Sequence, residues 1–362
     1  MRSLGIVAVA FASCGHGASI DHASSNVYGR KDSDATTIVS PALRVGGVVG
    51  PATVETEYTV DAWTGASVDV ITAATPAIHE RRHEGDLSVG YERGPVAITS
   101  NYRLSVENDY LSHGLTLGTR LALAKKNTIV GLDALVTADV VGRSGDPHYA
   151  KPVDSVGGRF TLVQILDKQT LAELGWQTIV VDGFQSSPYR FVALGDMGTC
   201  GSLAPFCIPE HVPDHRIRNA FTTRVRRALG GRASTELDYR FYFDDWGIQS
   251  HALEPELAVR VADDKTLSLR YRYTAQSEAF FYRPRYFDIA STDGFVTRDR
   301  KLSAVIANEI GLQYLQRSES LESSRVVTWG LRTTVSRVDY LAFVGLDHVW
   351  AVELTALVGV AR

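Results

Sequence analysis

Residues 235–275 read TELDYRFYFDDWGIQSHALEPELAVRVADDKTLSLRYRYTA and contain three long runs of alternating apolar and polar side chains. In the first run, Leu237, Tyr239, Phe241 and Phe243 alternate with Glu236, Asp238, Arg240 and Tyr242. Strand side chains point to opposite faces with a period of two, so each run makes one apolar face and one charged face. The runs reach roughly ten residues, whereas ordinary globular strands average about five or six. Long two-faced strands are typical of a transmembrane β-barrel.

The composition agrees with such a barrel and excludes several other classes of protein. The chain has 362 residues, of which 44% are hydrophobic, with 31 Gly, 15 Tyr and 13 Phe. After the N-terminus, no apolar stretch approaches the ~18–20 residues that a membrane helix needs. The formal net charge of -4 gives no reason to expect nucleic acid as a partner. Gly and aromatic residues suit tight turns and aromatic girdles.

The same alternation divides the chain into about sixteen predicted strands, an even number as bacterial single-chain barrels require, with fourteen as the alternative. The predicted strands lie near 24–30, 36–48, 52–62, 84–93, 96–106, 113–124, 128–140, 156–166, 170–181, 216–229, 232–243, 248–262, 266–277, 301–316, 325–338 and 349–361. Short turns alternate with longer connections, such as 63–82, 141–155, 182–215 and 278–300. Outer-membrane barrels have short periplasmic turns and long external loops, so both termini are predicted to be periplasmic.

The charged strand faces are predicted to line the interior, because an Arg side chain on the lipid face at mid-membrane costs ~2–4 kcal/mol. The candidate lumen-lining residues are Glu55, Glu57, Arg103, Arg120, Asp133, Glu236, Asp238, Arg240, Arg270 and Arg272. Facing rows of acids and bases set a transverse field in an open channel, whereas a fully paired network fills the lumen and closes it. The sequence leaves this choice open.

The N-terminus is typical of an export signal. Arg2 supplies the positive start, Leu4 to Ala12 form a short apolar core, and small residues follow. We therefore predict a signal peptide over 1–18 and a barrel over 19–362. Residues 11–14 (FASC) also resemble a lipoprotein cleavage box with Phe in place of Leu, so lipidation of Cys14 is the alternative to its removal with the signal.

Cys200 and Cys207 are the two remaining cysteines and occupy one loop of a predicted exported protein. A disulfide between them is the expected state in an oxidising compartment. The alternative is a zinc site completed by His211 and His215, since Cys and His are the usual zinc ligands. The irregular spacing and the compartment argue against zinc.

The chain resembles a family of bacterial outer-membrane barrels known as domain of unknown function 3570. The stretches that carry the resemblance are 67–71 (SVDVI), 109–114 (DYLSHG), 239–248 (YRFYFDDWGI) with Ser250-His251, and 281–286 (FYRPRY). It runs from about residue 25 to the end and implies an outer-membrane barrel with no established reaction or substrate. The loop around Cys200 and the C-terminal Val360-Ala361-Arg362, which lacks a terminal aromatic residue, depart from the pattern.

Residues 79–83 (HERRH) match the zinc-protease pattern H-E-x-x-H, with His79 and His83 as weak metal candidates and Glu80 as the base. That chemistry needs a helix that turns both histidines toward one metal. Pro76, Gly85 and the predicted strand that follows leave little room for a helix. A charged rim between loop and strand is the favoured interpretation, and no catalytic residue is predicted.

Two segments outside the strands are candidates for ligand binding. Asp244, Asp245 and Trp246 form a predicted external turn that is suited to a cation or a sugar, or in which the Trp sits in the outer aromatic girdle. Residues 280–287 are rich in aromatic residues and Arg, and either constrict the lumen or pack loops together at the barrel mouth.

The leading functional hypothesis is a porin-like channel for small polar solutes in the bacterial outer membrane. The alternative is a non-conducting barrel that binds partners, with a small lipoprotein as one candidate. A hydrolase that uses residues 79–83 is less favoured. Outer-membrane lipid and lipopolysaccharide are the expected surroundings, and no cofactor is predicted.

Overall fold

The computed structural model describes residues 18–65, 78–196, 200, 206–319 and 325–362. Within them lie eighteen strands: β1 (Ala18–Asp32), β2 (Thr36–Val49), β3 (Ala52–Gly65), β4 (Ile78–Arg93), β5 (Val96–Val106), β6 (Tyr110–Leu123), β7 (Thr128–Arg143), β8 (Asp146–Ile165), β9 (Thr170–Gly183), β10 (Phe191–Ala193), β11 (Cys207–Pro209), β12 (His215–Leu229), β13 (Ala233–Asp244), β14 (Gln249–Ala262), β15 (Lys265–Gln276), β16 (Val305–Glu319), β17 (Val326–Tyr340) and β18 (His348–Ala361). Short 3-10 helices occupy Ala124–Lys126, Ile289–Thr292 and Arg300–Leu302.

Sixteen of these strands close an antiparallel barrel, in which each strand pairs with its neighbour along the chain and β1 pairs with β18. Strands β10 and β11 form a separate two-stranded sheet in the connection between β9 and β12. The predicted sixteen-stranded barrel is therefore confirmed, and the fourteen-stranded alternative is wrong. The weak first strand exists and runs from Ala18 to Asp32, paired on both sides.

The signal peptide prediction is untested, because residues 1–17, including Cys14, lie outside the described residues. Among the described residues, no helix is both long and apolar enough to cross a membrane.

The alternating sequence gives the wall its two chemically different faces. Apolar side chains such as Leu117, Leu132 and Leu269 lie on the outer face, each more than half exposed in the isolated chain. Aromatic rings stack along this face, with Trp176 and Phe221 centroids 6.0 Å apart. A continuous outer band of this kind is what the hydrocarbon of a bilayer covers.

Three Tyr–His pairs repeat on the outer face with the same geometry. In each, the Tyr Oη lies 2.7 or 2.8 Å from a His Nδ1 on the next strand: Tyr58 with His83, Tyr102 with His113, and Tyr239 with His251. Each pair is diagonal in register, which brings a ring and an imidazole within reach across two strands. These pairs let a polar ring nitrogen lie among apolar neighbours without losing its hydrogen bond.

Pro255 lacks the N–H group that a ladder hydrogen bond needs, which predicts a bulge or a strand end at this position. The structure shows neither, because β14 continues through Pro255. Pairing with β15 is interrupted between Leu253 and Glu256, and the register on either side is the same. The register shift in this pair instead lies between Arg260 and Ala262, beside the turn. One lost ladder bond is thus tolerated where the flanking bonds hold the strands in place.

The two ends of the barrel differ in the length of their connections. At the end that carries the termini, connections are short, such as residues 50–51, 94–95 and 263–264. The opposite end carries the connections 184–214 and 277–304. The predicted segregation of loop length is confirmed.

One predicted long loop is wrong. Residues 141–155 are not a loop, because β7 and β8 continue to a tight turn at residues 144–145. The pairing persists through the pair Arg143 and Asp146 after a register shift. The Arg143 guanidinium lies 4.2 Å from the centre of the Tyr149 ring. The tip of this hairpin thus carries a cation–π contact between two polar side chains, and it lacks the apolar alternation that marks the other strands.

The two faces make a testable prediction at the middle of β6. We expect Leu117→Arg to lower the free energy of unfolding in lipid vesicles by about 2–4 kcal/mol, because it places a guanidinium in the hydrocarbon. Thr116→Arg, one residue away on the inner face, serves as the matched control and should change it by less than about 1 kcal/mol. Denaturant titration of the folded barrel in vesicles measures both values. Equal losses in the two variants would contradict the assignment of the faces.

Candidate functional site: the charged inner wall

The pairing register places all ten predicted lumen residues on one face of the wall. Residues directly opposite each other share a face, and the chain of partners runs from Glu57 through Asp86 to Arg103 and Gly114. Continuing around the barrel, the same face carries Arg120, Asp133, Asp238, Arg240, Arg270 and Arg272. The apolar outer band lies on the other face. That these side chains line a solute path stays a prediction.

Ion pairs join many of these side chains across neighbouring strands. Arg120 binds Asp133 through two nitrogens, at 2.7 and 3.0 Å. The Arg224 Nε donates to Asp238 Oδ1 at 2.6 Å. Glu254 lies 3.3 Å from Arg270 and 3.8 Å from Arg272. Much of the inner charge is therefore neutralised locally, within the wall itself.

The charges are unevenly distributed around the barrel. Strands β3 and β4 form an acidic wall, whose inward carboxylates are Glu55, Glu57, Asp61, Glu80, Glu84, Asp86 and Glu92. Arg82 is the inward base on these two strands between Ala52 and Arg93, and it binds Asp61. Arg44 on β2 donates to Glu57 at 2.6 Å. This side of the lumen therefore keeps a surplus of negative charge.

Strands β12 to β15 form an arginine wall. Its inward arginines include Arg216, Arg218, Arg224, Arg226, Arg240, Arg270 and Arg272. In the closed order of strands, β3 and β4 lie half the circumference away from β13 and β14. The acidic wall and the arginine wall therefore face each other across the lumen, which sets up a field perpendicular to the barrel axis.

Sequence reasoning missed several members of this arrangement. Arg216, Arg218, Arg224 and Arg226 occupy alternate positions of β12, and Arg44 and Glu254 pair with predicted residues. The four arginines could have been found from the sequence, because their even-numbered positions in β12 place them on the same face of the strand. The pairing of Arg44 and Glu254 depends on the register, which one strand alone does not reveal.

Two recesses lie along the arginine wall. One recess of about 540 Å³ is lined by Asp238, Arg240, Arg270 and Arg272 among others. A second, of about 600 Å³, lies nearer the long loops and is lined by Arg218, Arg240, Arg272 and Lys301. Four of the ten predicted residues are thus brought together around one space.

The long connections pack into a common hydrophobic cluster, which we call the loop core. It consists of Val212, Trp246, Ile248, Ala279, Phe281, Tyr282, Leu302, Phe343, Leu346 and Val349. The ring centres of Trp246 and Phe281 lie 5.3 Å apart, edge to face. Four separate connections contribute to this cluster, so the loops at this end support one another.

Polar contacts extend the loop core toward both sides of the barrel. Glu210 accepts from Arg190 at 3.0 Å and from Thr297 Oγ1 at 2.6 Å. The Arg300 Nη1 donates to Asp34 in the turn between β1 and β2 at 2.6 Å. Tyr189 donates to Asp109 in the turn between β5 and β6. The connections 184–214 and 277–304 are therefore bound to turns several strands away.

The connection 277–304 also reaches inward. Asp299 and Leu302 border a recess of about 450 Å³ together with Tyr110 of β6 and Asp139 of β7. Strand β6 lies half the circumference away from β16, where this connection rejoins the wall. A loop that meets the far wall in one recess narrows the lumen at this end.

Residues 280–287 were predicted either to constrict the lumen or to pack the loops together. Most of their aromatic rings pack the loops. Phe281, Tyr282 and Tyr286 are buried in the loop clusters, and burial raises the pKa of the Tyr286 hydroxyl. Phe287 is 71% exposed. Residues 299–302, in the second half of the same connection, border recesses on the inner wall.

Asp244, Asp245 and Trp246 form the predicted turn, and Trp246 is not in the outer girdle. It is 3% exposed within the loop core, and its Nε1 donates to the His215 carbonyl at 2.9 Å. Asp244 is buried and accepts from Arg216 Nε at 2.9 Å. Arg216 also stacks 4.1 Å above the Trp246 ring, so this turn is occupied by its own packing. On the outer face of the neighbouring strands, the rings of Trp176, Phe221 and Phe243 stack on one another.

Residues 79–83 lie in strand β4, so the helix that the zinc-protease pattern requires is absent there. A strand directs Glu80 and His83 to opposite faces, and His83 instead bonds Tyr58. In the described part of the chain, no group of three or more His, Cys, Asp or Glu residues is arranged to hold a metal ion.

The predicted disulfide is confirmed. Cys200 and Cys207 are joined, with their Cα atoms 6.1 Å apart. Cys207 opens β11, which pairs with β10 and anchors the connection between β9 and β12. His211 lies against the Phe295 ring, 5.1 Å between centres, and His215 bonds Asp182. The zinc alternative is therefore wrong, because its two thiols are consumed.

The family resemblance is confirmed over part of its predicted span. Residues 153–328 match the family model described as "Protein of unknown function (DUF3570)". Stretches 239–248 and 281–286 fall inside this match, whereas 67–71 and 109–114 fall outside it. No curated protein matches the sequence significantly.

Solved structures share the barrel but very little sequence. CdiB from Acinetobacter baumannii aligns with a TM-score of 0.51 at 7% identity, covering 95% of this chain and 60% of that chain. OprD from Pseudomonas aeruginosa gives a TM-score of 0.47 at 7% identity, with 94% of each chain covered. The ferric enterobactin receptor mutant (PfeA) from Pseudomonas aeruginosa gives 0.46 at 10% identity, covering 90% of this chain and 54% of that chain. The chain thus spans about half the length of the receptor structures it matches, and the likeness is one of fold.

The loop core makes a prediction about pH through Asp299. Burial opposes its charge, but Arg190 nearby and the Lys301 N–H group hold the pKa of Asp299 below its ordinary value of 3.8. Its stabilising contribution is therefore complete above pH 3.8 and is lost as the pH falls through the lower folded-state value.

We expect the loops of the native protein in detergent to become protease-sensitive below that pH, as measured by an acid-active protease. Asp299→Asn should make them sensitive at neutral pH, whereas Asp263→Asn, at the opposite end, should not. Loops of the Asp299→Asn variant that resist cleavage at neutral pH would refute the role of this carboxylate.

Proposed function

We propose that this chain, whose residues 153–328 match the DUF3570 family and whose strands close a sixteen-stranded barrel, is an outer-membrane channel for small polar solutes. The acidic wall opposite the arginine wall supports this proposal most directly. A barrel of this size encloses more space than its own side chains fill. Opposed charges on the two sides orient a polar solute and keep water in the lumen.

The recesses agree with a path of limited width. Their volumes of about 450 to 600 Å³ match small solutes rather than folded partners. Polar and charged side chains dominate their linings. The loop residues 299–302 narrow the lumen on the side away from the termini, which gives the path a constriction that selects by size and charge.

A non-conducting barrel that binds a partner is the second candidate. It is favoured by the bound loops, which reach across the lumen, and by Phe206 and Phe287, which are 69% and 71% exposed. An exposed apolar patch that included these two rings would be a contact surface for such a partner. A small lipoprotein stays a candidate partner, and lipopolysaccharide a candidate neighbour of the outer aromatic face.

Planar-bilayer recording separates the two candidates. Full-length protein with verified heat-modifiable mobility should give steady single-channel steps if it conducts. A folded, inserted barrel without steps would overturn the channel proposal and support the second candidate.

The loop core provides a sharper version of this test. We expect Trp246→Ala to raise the conductance by a factor of about two or more, because loosening the loop core widens the constriction. Trp176→Ala, a matched loss of a Trp from the outer face, should leave the conductance unchanged. An identical effect of both substitutions would show that the loop core does not control the path.

A further inference from the structure

The second recess, of about 600 Å³, lies between the arginine wall and residues 299–302 and carries unusual chemistry. We call it the arginine recess. Its cationic groups are Arg216, Arg218, Arg240, Arg272 and Lys301, and its carboxylate is Asp299. The lining is therefore strongly positive even though the chain as a whole has a net charge of -4.

The carboxylates near the recess are engaged by other groups. Asp244 is buried and taken by Arg216. Asp299 lies 3.5 Å from Arg190 and accepts from the Lys301 N–H group at 2.9 Å. Glu254 lies between Arg270 and Arg272. None of these acids forms an ion pair with Arg218 or Arg240, although the charge of Asp244 is close enough to act on Arg218.

Arg218 and Arg240 form no ion pair or side-chain hydrogen bond with any described residue. The Arg218 Nε is buried and lacks a hydrogen-bond partner. The Arg240 guanidinium lies 6.0 Å from the Tyr242 ring centre, at the limit of a cation–π contact. A buried donor without a partner is destabilising unless a ligand or ordered water completes it. Elsewhere on the same wall, arginines such as Arg224 are paired.

Small side chains leave room beside these arginines. Ala252 faces Arg240 across the β13–β14 pair, and Ala220 faces Tyr242 across the β12–β13 pair. Ser250, Thr274 and Gln177 add hydroxyl and amide groups to the lining. The recess therefore combines free guanidinium forks, neutral hydrogen-bonding groups and space.

We infer that the arginine recess binds a small oxyanion, a carboxylate or a phosphate, by the forks of Arg218 and Arg240. A planar guanidinium with two parallel N–H donors matches the oxygen spacing of either group. Resting on the proposed channel function, this inference names the class of solute: small organic or inorganic oxyanions. Lys301 and Arg272 supply further positive charge at the rim of the site.

Equilibrium binding tests the site without any need for transport. Titration calorimetry on the full-length barrel in detergent, with citrate and inorganic phosphate as separate probes, should show saturable binding of at least one. The double variant Arg218→Gln/Arg240→Gln should lose affinity by at least about tenfold, since each charge-assisted hydrogen bond is strong. Arg332→Gln, an inward arginine of β17 outside the recess, is the matched control and should keep its affinity.

Citrate binding alone assigns a carboxylate ligand, and phosphate binding alone assigns a phosphate; either supports the site. Absence of binding by both probes, or equal binding by wild type and double variant, overturns it. Heat-modifiable mobility on gels confirms that each variant is folded.

Reversal potentials in a salt gradient separate this inference from the channel proposal. A conducting wild type that prefers anions, with the preference reduced in the double variant, supports both. A conducting wild type that prefers cations overturns the assignment of oxyanions as the transported class and leaves the channel intact. Oxyanion binding by a barrel that never conducts overturns the channel and keeps the site.

Discussion

Closure of the sheet is the constraint on which the rest of this structure depends. Within hydrocarbon, an unpaired backbone N–H or C=O group costs several kcal/mol, so no strand edge can be left open. The pairing of β1 with β18 satisfies that condition, and every other strand of the barrel has a partner on both sides. Once the ring is closed, the period of two decides everything else, because each side chain must face either lipid or lumen.

The inner face shows how charge is accommodated in such a ring. Most inward arginines lie beside a carboxylate on the neighbouring strand, as Arg120 does with Asp133. These pairs hold their partners in place and add little net field. The net field inside the barrel therefore depends on the minority of charged groups without an ion pair, such as Arg218 and Arg240 on one side and Asp86 on the other.

The sequence was informative where a single strand carries the signal. Alternation located all sixteen barrel strands and put ten charged residues on one face, because facing is a local property of the backbone. It failed at residues 141–155, where pairing continues without hydrophobic alternation, and at Trp246, which the loop core buries. Both depend on contacts between distant segments. The partner of Arg44, the burial of Asp244 and the isolation of Arg218 likewise follow from register and loop packing, which no pattern within one strand encodes.

The bond between Arg300 and Asp34 has a consequence for how the protein is built. These residues are 266 positions apart in the chain. Asp34 lies in the turn between β1 and β2, and Arg300 lies in the connection between β15 and β16. In the closed order of strands, β1 pairs with β18 and lies three strands from β16. The hydrogen bond therefore spans the β1–β18 seam and joins its two sides through loop side chains as well as through the backbone.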